Sequence, residues 1–249
     1  MTESSTVAPD TTTGAPTIGL LYPGYSAEDD YPALEKRLDG AVRLPLVHTT
    51  VDVDAHEVGA LLDLGGPARL AEGARKLPSD VDAVMWACTS GSFVFGWDGA
   101  RKQVDELGAI LGKPTSSTSI AFVEALRALG LTRVSVAASY PEPVAQRFVE
   151  FLGRGGMTVT AMGFHGIFTA AEVGTLDEEG VLDLARSANV DGAEALLVPD
   201  TAMHTLAYLE ALEEAVGIPV LTANQVTVHE GLRLLGPVPR LPGMGTLFR

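Results

Sequence analysis

The one cysteine of the chain, Cys88, lies in the segment VMWACTSGSFVFG, directly after an apolar run. A cysteine thiolate is a strong nucleophile, and it reacts without a metal or an organic cofactor. Thr89 and Ser90 follow it. If a helix begins at this point, their hydroxyl groups and free backbone N–H groups surround the sulfur. We expect these donors to bind a carboxylate and to lower the pKa of the thiol. The alternative is a core cysteine, because free cysteines are often buried.

Asp200 is the second candidate, because it occupies the equivalent position in an internal repeat. The segment DAVMWACT resembles EALLVPDT, and this match pairs Cys88 with Asp200. Two further pairs occur in the same order along the chain: IGLLYP with VAASYP, and VRLPLVH with VTAMGFH. Similarity at a long period indicates duplicated structure. The sequence therefore predicts two related halves, with Cys88 and Asp200 each directly after a strand.

Short apolar runs alternate with helical patterns through most of the chain. The predicted strands cover residues 17–22, 42–47, 83–87, 134–138, 159–164, 195–198 and 220–222. The predicted helices cover residues 31–38, 67–76, 99–111, 119–129, 143–152, 178–187, 206–216 and 226–235. This alternation is typical of an α/β fold with parallel sheets flanked by helices. We predict two pseudo-symmetric Rossmann-like (flavodoxin-like) domains.

The repeat also suggests domain boundaries. Residues 1–15 are predicted to be a disordered leader, residues 16–117 with 223–249 a first domain, and residues 118–222 a second domain. Ligands of parallel sheets bind at the carboxyl ends of the strands. We therefore expect an active site in the cleft between the domains, with Cys88 and Asp200 on opposite walls. Tyr22, Thr201 and His204 also fall at or just beyond strand ends and are candidate cleft residues; His204 follows Asp200 by one helical turn.

Composition limits the classes of partner. The formal net charge of −15 argues against a nucleic-acid or anionic membrane surface, because both require basic residues. A single cysteine forms no internal disulfide, and no spacing of histidines and acids indicates a metal site. The polar N-terminus lacks the features of a signal peptide. We expect a cytoplasmic protein that binds a small carboxylate or dicarboxylate.

Several segments together resemble one group of enzymes. They are WACTSGS, SYPEPVAQRFVEFL, TAAEVGTLD, ALLVPDTA and GIPVLTANQVTVHEGLRLLG. This set is similar to the maleate isomerase and arylmalonate decarboxylase group of the aspartate/glutamate racemase superfamily. The resemblance covers residues 17–236. It implies two pseudo-symmetric α/β domains with the active site between them, chemistry without a cofactor, and a homo-oligomer in many members.

The resemblance also implies roles for individual residues. Cys88 corresponds to the nucleophile of maleate isomerases, and Thr89 and Ser90 to residues that hold a substrate carboxylate. Tyr140 corresponds to a tyrosine that hydrogen-bonds the substrate. Asp200 stands where racemases and maleate isomerases carry a second cysteine, which is a departure from the group. A second departure is the absence of an asparagine in YPGYSAED, where maleate isomerases have one.

The leading prediction is a cofactor-independent cis–trans isomerase of a small unsaturated dicarboxylate, with Cys88 as nucleophile and Asp200 as proton donor. One alternative is a cofactor-independent decarboxylase of a substituted malonate. Another is an amino-acid or hydantoin-type racemase, in which Cys88 and Asp200 act on opposite faces of one carbon. A third is a carboxylate-binding protein without catalysis.

Overall fold

The computed structural model describes residues 14–249. Most of the predicted leader, residues 1–13, lies outside the described part of the chain. Within residues 14–249, no helix combines the length and the apolar character that crossing a bilayer requires.

The first half of the chain builds a parallel sheet flanked by helices. Its strands are β1 (Ile18–Pro23), β2 (Leu46–Thr49), β3 (Ala83–Trp86) and β4 (Thr115–Ser117). Its helices are α1 (Asp30–Arg37), α2 (Val58–Leu64), α3 (Pro67–Ala74), α4 (Ser90–Phe93), α5 (Gly96–Leu111) and α6 (Thr118–Leu129). The strand order is β2-β1-β3-β4, and every pairing is parallel.

The second half repeats this arrangement. Its strands are β5 (Arg133–Ala138), β6 (Thr158–Phe164), β7 (Ala195–Val198) and β8 (Val220–Thr222). Its helices are α7 (Glu142–Arg154), α8 (Ala170–Val173), α9 (Glu178–Arg186), α10 (Leu209–Val216) and α11 (Ala223–Arg233), and a 3-10 turn (Thr246–Phe248) follows. The order β6-β5-β7-β8 is parallel and matches the first sheet strand for strand. The predicted fold class is confirmed.

Hydrophobic patterning explains the central elements. Strands β3 and β7 are buried at every residue, as expected for inner strands of a parallel sheet covered on both faces. Helix α7 buries one stripe at helical spacing and exposes the rest. Helices α6 and α11 follow equivalent strands, and Thr118 and Thr227 hydrogen-bond between them at 2.6 Å. The two sheets agree with the predicted division of the chain, while the exact domain boundaries stay a prediction.

The structure corrects some of the predicted elements. The strand predicted at residues 42–47 is β2 at Leu46–Thr49, because the preceding residues contact β1 only through an isolated bridge between Thr17 and Arg43. Strand β4 was not predicted, since its sequence TSS is short and polar. The short helices α2, α4 and α8 were also not predicted.

Candidate active site

A cavity of about 320 Å³ lies where the carboxyl ends of the two sheets face each other. Five of the predicted site residues line it. Tyr22, Cys88 and Ser90 come from the first half, and Asp200 and Thr201 from the second. The fold therefore brings a thiol and a carboxylate to one cavity from positions more than a hundred residues apart in the chain.

Cys88 follows β3 by two residues, and the short helix α4 begins at Ser90. The backbone N–H of Gly91 donates a hydrogen bond to Cys88 Sγ at 3.3 Å, and Ser90 Oγ lies 3.8 Å from the same sulfur. These donors lower the pKa of the thiol, as expected from the sequence. Burial has the larger effect and raises the pKa of Cys88 to about 12, with a further contribution from the Asp200 charge. The expectation of a lowered thiol pKa is therefore wrong, because desolvation outweighs the helix start.

Thr89 is fully buried, and it does not line the cavity. Its Oγ1 atom has no hydrogen-bond partner among residues 14–249. A buried hydroxyl without a partner is costly, so a functional or ligand-dependent explanation is expected. The role of Thr89 in holding a carboxylate stays a prediction.

Asp200 follows β7 by two residues, as Cys88 follows β3. Its Oδ1 atom accepts a hydrogen bond from the Ala202 backbone N–H at 3.0 Å. Its Oδ2 atom accepts a short hydrogen bond from the Ser139 hydroxyl. Both repeat-related positions thus receive a backbone N–H from the turn that follows the strand. Asp200 is 4% exposed, so its carboxylate depends on these partners rather than on water.

Tyr22 lies at the end of β1 and reaches across to the second half. Its hydroxyl donates to the carbonyl oxygen of Thr201 at 2.9 Å and accepts from the Ala27 N–H at 3.1 Å. Burial, the largest cause, raises the pKa of Tyr22 well above its usual value. Tyr22 therefore stays a neutral phenol that fixes the position of the Thr201 backbone beside the cavity.

Tyr140 occupies the equivalent position in the second half, and here the structure departs from the expectation. It does not line the cavity, and its hydroxyl donates to the carbonyl oxygen of Pro199 at 2.6 Å. The phenol hydrogen is therefore engaged with the protein instead of being directed at a substrate. His204 also does not line the cavity, since its Nε2 atom lies 2.7 Å from Asp29 Oδ1 at the surface.

His56 lines the cavity and was missed by the sequence reasoning. It lies in the loop between β2 and α2, and its Nε2 atom lies 3.9 Å from Asp200 Oδ2. Both side chains are 5% exposed. The ring of His56 packs edge-on against Tyr140, with 4.9 Å between the centroids. No sequence motif surrounds His56. The one signal that could have identified it is its position in the loop after a predicted strand, where ligands of parallel sheets bind.

The other charges at the cavity are carboxylates. Asp52 and Asp54 line its mouth, and no lysine or arginine of the described chain does so. The Arg69 guanidinium hydrogen-bonds Asp52 and lowers the pKa of that carboxyl. Asp54 accepts the backbone N–H groups of Ala170 and Ala171 at the start of α8. An anionic ligand must therefore be held here by hydroxyl and N–H donors. Within residues 14–249, no group of three or more histidine, cysteine or acidic side chains has a metal-binding arrangement.

Two facing parallel sheets, with a thiol and a carboxylate in the cleft between their strand ends, define a two-domain α/β protein with an interdomain site. Residues 67–248 match the Amdase (arylmalonate decarboxylase) family. The chain belongs to this family. The resemblance predicted from the sequence is confirmed.

Individual relatives include both activities of the group. Maleate isomerase of Nocardia farcinica (strain IFM 10152) is 34% identical over 134 residues, which cover 53% of this chain and 53% of that protein. Arylmalonate decarboxylase of Bordetella bronchiseptica is 28% identical over 140 residues, covering 55% of this chain and 58% of that protein. The matched segments thus span a little more than half the length of these two relatives.

A solved structure extends the likeness over nearly the whole chain. A mutant of Nocardia farcinica maleate cis-trans isomerase, with a covalently bound succinylcysteine intermediate, has a TM-score of 0.84 at 26% identity. The superposition covers 95% of this chain and 99% of that one.

Proposed function

We propose that this protein is a cofactor-independent cis–trans isomerase of a small unsaturated dicarboxylate such as maleate. The observation that carries the proposal is the presence of the Cys88 thiol and the Asp200 carboxylate in one cavity of about 320 Å³. Family membership supports it, as does the likeness to Nocardia farcinica maleate isomerase. The succinylcysteine reported for that enzyme is the adduct expected when a cysteine adds to maleate.

The proposed reaction begins with attack of the Cys88 sulfur on one alkene carbon. A carbon–sulfur bond forms, the π bond breaks, and its electron pair moves onto the neighbouring carboxylate as an enediolate. The remaining single bond rotates. Return of the electron pair then expels the thiolate and forms the trans alkene. Asp200 acts as the proton donor: it protonates the carbon of the enediolate and takes this proton back before elimination. Every atom of the substrate is retained, so the reaction requires no cofactor.

Neutral donors provide the proposed substrate binding. Ser90 and Thr201 line the cavity, and Thr89 has a buried hydroxyl with no hydrogen-bond partner among residues 14–249. Tyr22 also lines the cavity, but its hydrogen is donated to the Thr201 carbonyl oxygen. Preorganised donors stabilise developing charge strongly where water is excluded. The absence of a lysine or arginine from the cavity lining of the described chain makes these hydroxyl and N–H groups the candidates for holding both carboxylates.

Proton NMR of the protein incubated with maleate tests this proposal, because maleate and fumarate have distinct alkene signals. We expect fumarate to accumulate with the wild-type protein and not with Cys88→Ala. Binding of maleate by folded Cys88→Ala separates loss of chemistry from loss of the site. Equal conversion by both proteins, or no conversion by the wild-type protein, contradicts the isomerase.

A decarboxylase is the second candidate, favoured by the apolar part of the cavity wall. Leu61 and Leu64 line the cavity together with Tyr22, and an apolar wall suits the expulsion of a carboxylate as carbon dioxide. Arylmalonate decarboxylase of Bordetella bronchiseptica is among the relatives. Release of carbon dioxide from a panel of substituted malonates distinguishes this activity. Deuterium uptake at an α-carbon indicates a racemase, and dicarboxylate binding with no turnover indicates a binding protein. The cytoplasmic location and a homo-oligomeric state stay predictions.

A further inference from the structure

His56 is fixed in place by contacts that cross between the two halves. Its backbone N–H donates to the carbonyl oxygen of Phe168 at 2.7 Å. Its Nδ1 atom lies 2.9 Å from the carbonyl oxygen of Ile167. Both acceptors belong to the loop after β6, the equivalent of the loop after β2 that carries His56. The ring is therefore held from the opposite side of the cleft, close to Asp200.

These contacts determine which ring nitrogen carries the hydrogen. A carbonyl oxygen only accepts, so Nδ1 is the donor toward Ile167. A neutral imidazole has one N–H group, which leaves Nε2 with a lone pair. That atom lies 3.9 Å from Asp200 Oδ2. The backbone thus presents a basic nitrogen to the carboxylate inside the cavity.

The hydrogen-bond partners of Asp200 leave room for a proton between its Oδ2 atom and His56 Nε2. Oδ1 accepts from Ala202, and Oδ2 accepts from the Ser139 hydroxyl. Neither contact places a proton between Oδ2 and His56 Nε2. A lone pair and a carboxylate facing each other in a buried site repel, and a single proton on Nε2 turns the contact into an ion pair.

His56, Cys88 and Asp200 line the same cavity. We infer that His56 and Asp200 act together as a proton-holding pair in which His56 Nε2 takes the proton of the Cys88 thiol across that cavity. This inference rests on the proposed function. When sulfur attacks the alkene, the S–H bond breaks and an N–H bond forms at His56 Nε2. This proton passes to Asp200 Oδ2, 3.9 Å away, which donates it to the enediolate carbon. Before elimination Asp200 takes the proton back, and it returns through Nε2 to the sulfur as the carbon–sulfur bond breaks.

The other titratable groups near the pair have partners of their own. Asp54 accepts two backbone N–H groups of α8, and Tyr140 donates to Pro199. Tyr22 donates to Thr201, and Glu57, the next residue in the chain, is exposed. Burial strongly disfavours the Cys88 anion, and this thiol is the proposed nucleophile, so an internal proton acceptor matters most for it.

Alkylation of Cys88 by iodoacetamide over a range of pH tests the inference without any substrate. The chain has one cysteine, so the rate reports on this thiol alone. We expect the wild-type rate to show a shoulder near neutral pH, because proton transfer from Cys88 to His56 Nε2 supplies a minor thiolate form without loss of a proton to water. The rate then rises further in alkaline solution. His56→Asn keeps a side-chain N–H donor for Ile167 and removes Nε2. We expect it to lose the shoulder, with a rate at pH 7 at least about tenfold lower.

His165→Asn is the matched control. The Nδ1 atom of His165 also lies near a backbone carbonyl oxygen, that of Ala138, but its Nε2 atom lies 3.1 Å from Ser187 Oγ instead of a carboxylate. We expect its alkylation profile to match the wild type. A profile of folded His56→Asn that superimposes on the wild type overturns the inference. If His56→Asn does not fold, His56→Gln replaces it in the same comparison.

A second measurement needs no variant. Nitrogen-15 NMR of the histidine rings distinguishes the two neutral tautomers, and we expect the hydrogen of His56 on Nδ1. A neutral ring with its hydrogen on Nε2 also overturns the inference. Failure of maleate turnover with the shoulder intact contradicts the proposed function alone, whereas turnover without a shoulder contradicts the proton-holding pair alone.

Discussion

The hydroxyl of Tyr22 donates to the carbonyl oxygen of Thr201 at 2.9 Å, joining the end of the first strand to the residue after Asp200. The Tyr22 hydroxyl oxygen also accepts a hydrogen bond from the Ala27 N–H and lies 2.8 Å from Ser26 Oγ. One buried phenol therefore connects the two halves at the edge of the candidate active site and orders the loop after β1.

We predict that Tyr22→Phe destabilises the protein by about 1–3 kcal/mol, because it leaves the Thr201 carbonyl and the Ala27 N–H without their partner. Urea unfolding measures the change. Tyr25→Phe is the control, since Tyr25 is 74% exposed, and we expect no change for it. Equal stability of Tyr22→Phe and the wild type contradicts the role assigned to this hydrogen bond.

The raised pKa of Cys88 predicts a loss of stability in alkaline solution. The thiol loses its proton near its usual pKa of 9.0 in the unfolded chain, but only near 12 in the folded protein. Above pH 9 the folded state therefore binds more protons than the unfolded state, so stability falls as the pH rises. The Cys88 contribution to this loss is about 1 kcal/mol between pH 8 and pH 10.

Cys88→Ser isolates that contribution, because tyrosines also begin to titrate at higher pH. We expect the free energy of unfolding of Cys88→Ser to fall less than that of the wild type from pH 8 to pH 10. Parallel curves for the two proteins would show that the buried thiol does not titrate differently in the folded state.

Asp200→Asn preserves the shape of the carboxylate and its acceptor for the Ala202 N–H, and it removes the titratable group. We predict a loss of isomerase activity of about 10²- to 10⁴-fold, the usual contribution of general acid–base catalysis. Asp29→Asn is the matched control at the surface, where Asp29 contacts His204. We expect His204→Gln and Asp29→Asn to keep activity within about twofold. A large loss of activity in either variant would indicate that His204 contributes to the active site.

Gly91 permits the close packing behind the sulfur. A Cβ atom at this position would lie 2.7 Å from Leu64 Cδ2 and 3.1 Å from both Cys88 Sγ and Trp86 Cζ2. We predict that Gly91→Ala costs about 1–3 kcal/mol of stability and slows alkylation of Cys88, because Leu64 is displaced toward the cavity. Gly153→Ala in α7 has open space around the new methyl group, so we expect a gain of about 0.5–1 kcal/mol there. Unchanged stability and alkylation of Gly91→Ala would contradict the packing argument.

The sequence alone determined the fold class and the two residues at the centre of the site. The alternation of apolar runs and helical patterns reflects local periodicity, and the internal repeat alone pairs Cys88 with Asp200. Strand β4 was not predicted, because its three polar residues show none of the apolar character that marks a buried strand. Its place in the sheet is set by pairing with β3.

Only the tertiary structure decided how the site residues behave. The pKa of Cys88 depends on how much of the protein surrounds the sulfur, which no local pattern records. Tyr140 is engaged by Pro199, a contact between residues far apart in the chain. His56 reaches Asp200 because the loops after β2 and β6 meet across the cleft. Desolvation and contacts distant in sequence arise only when the two halves come together.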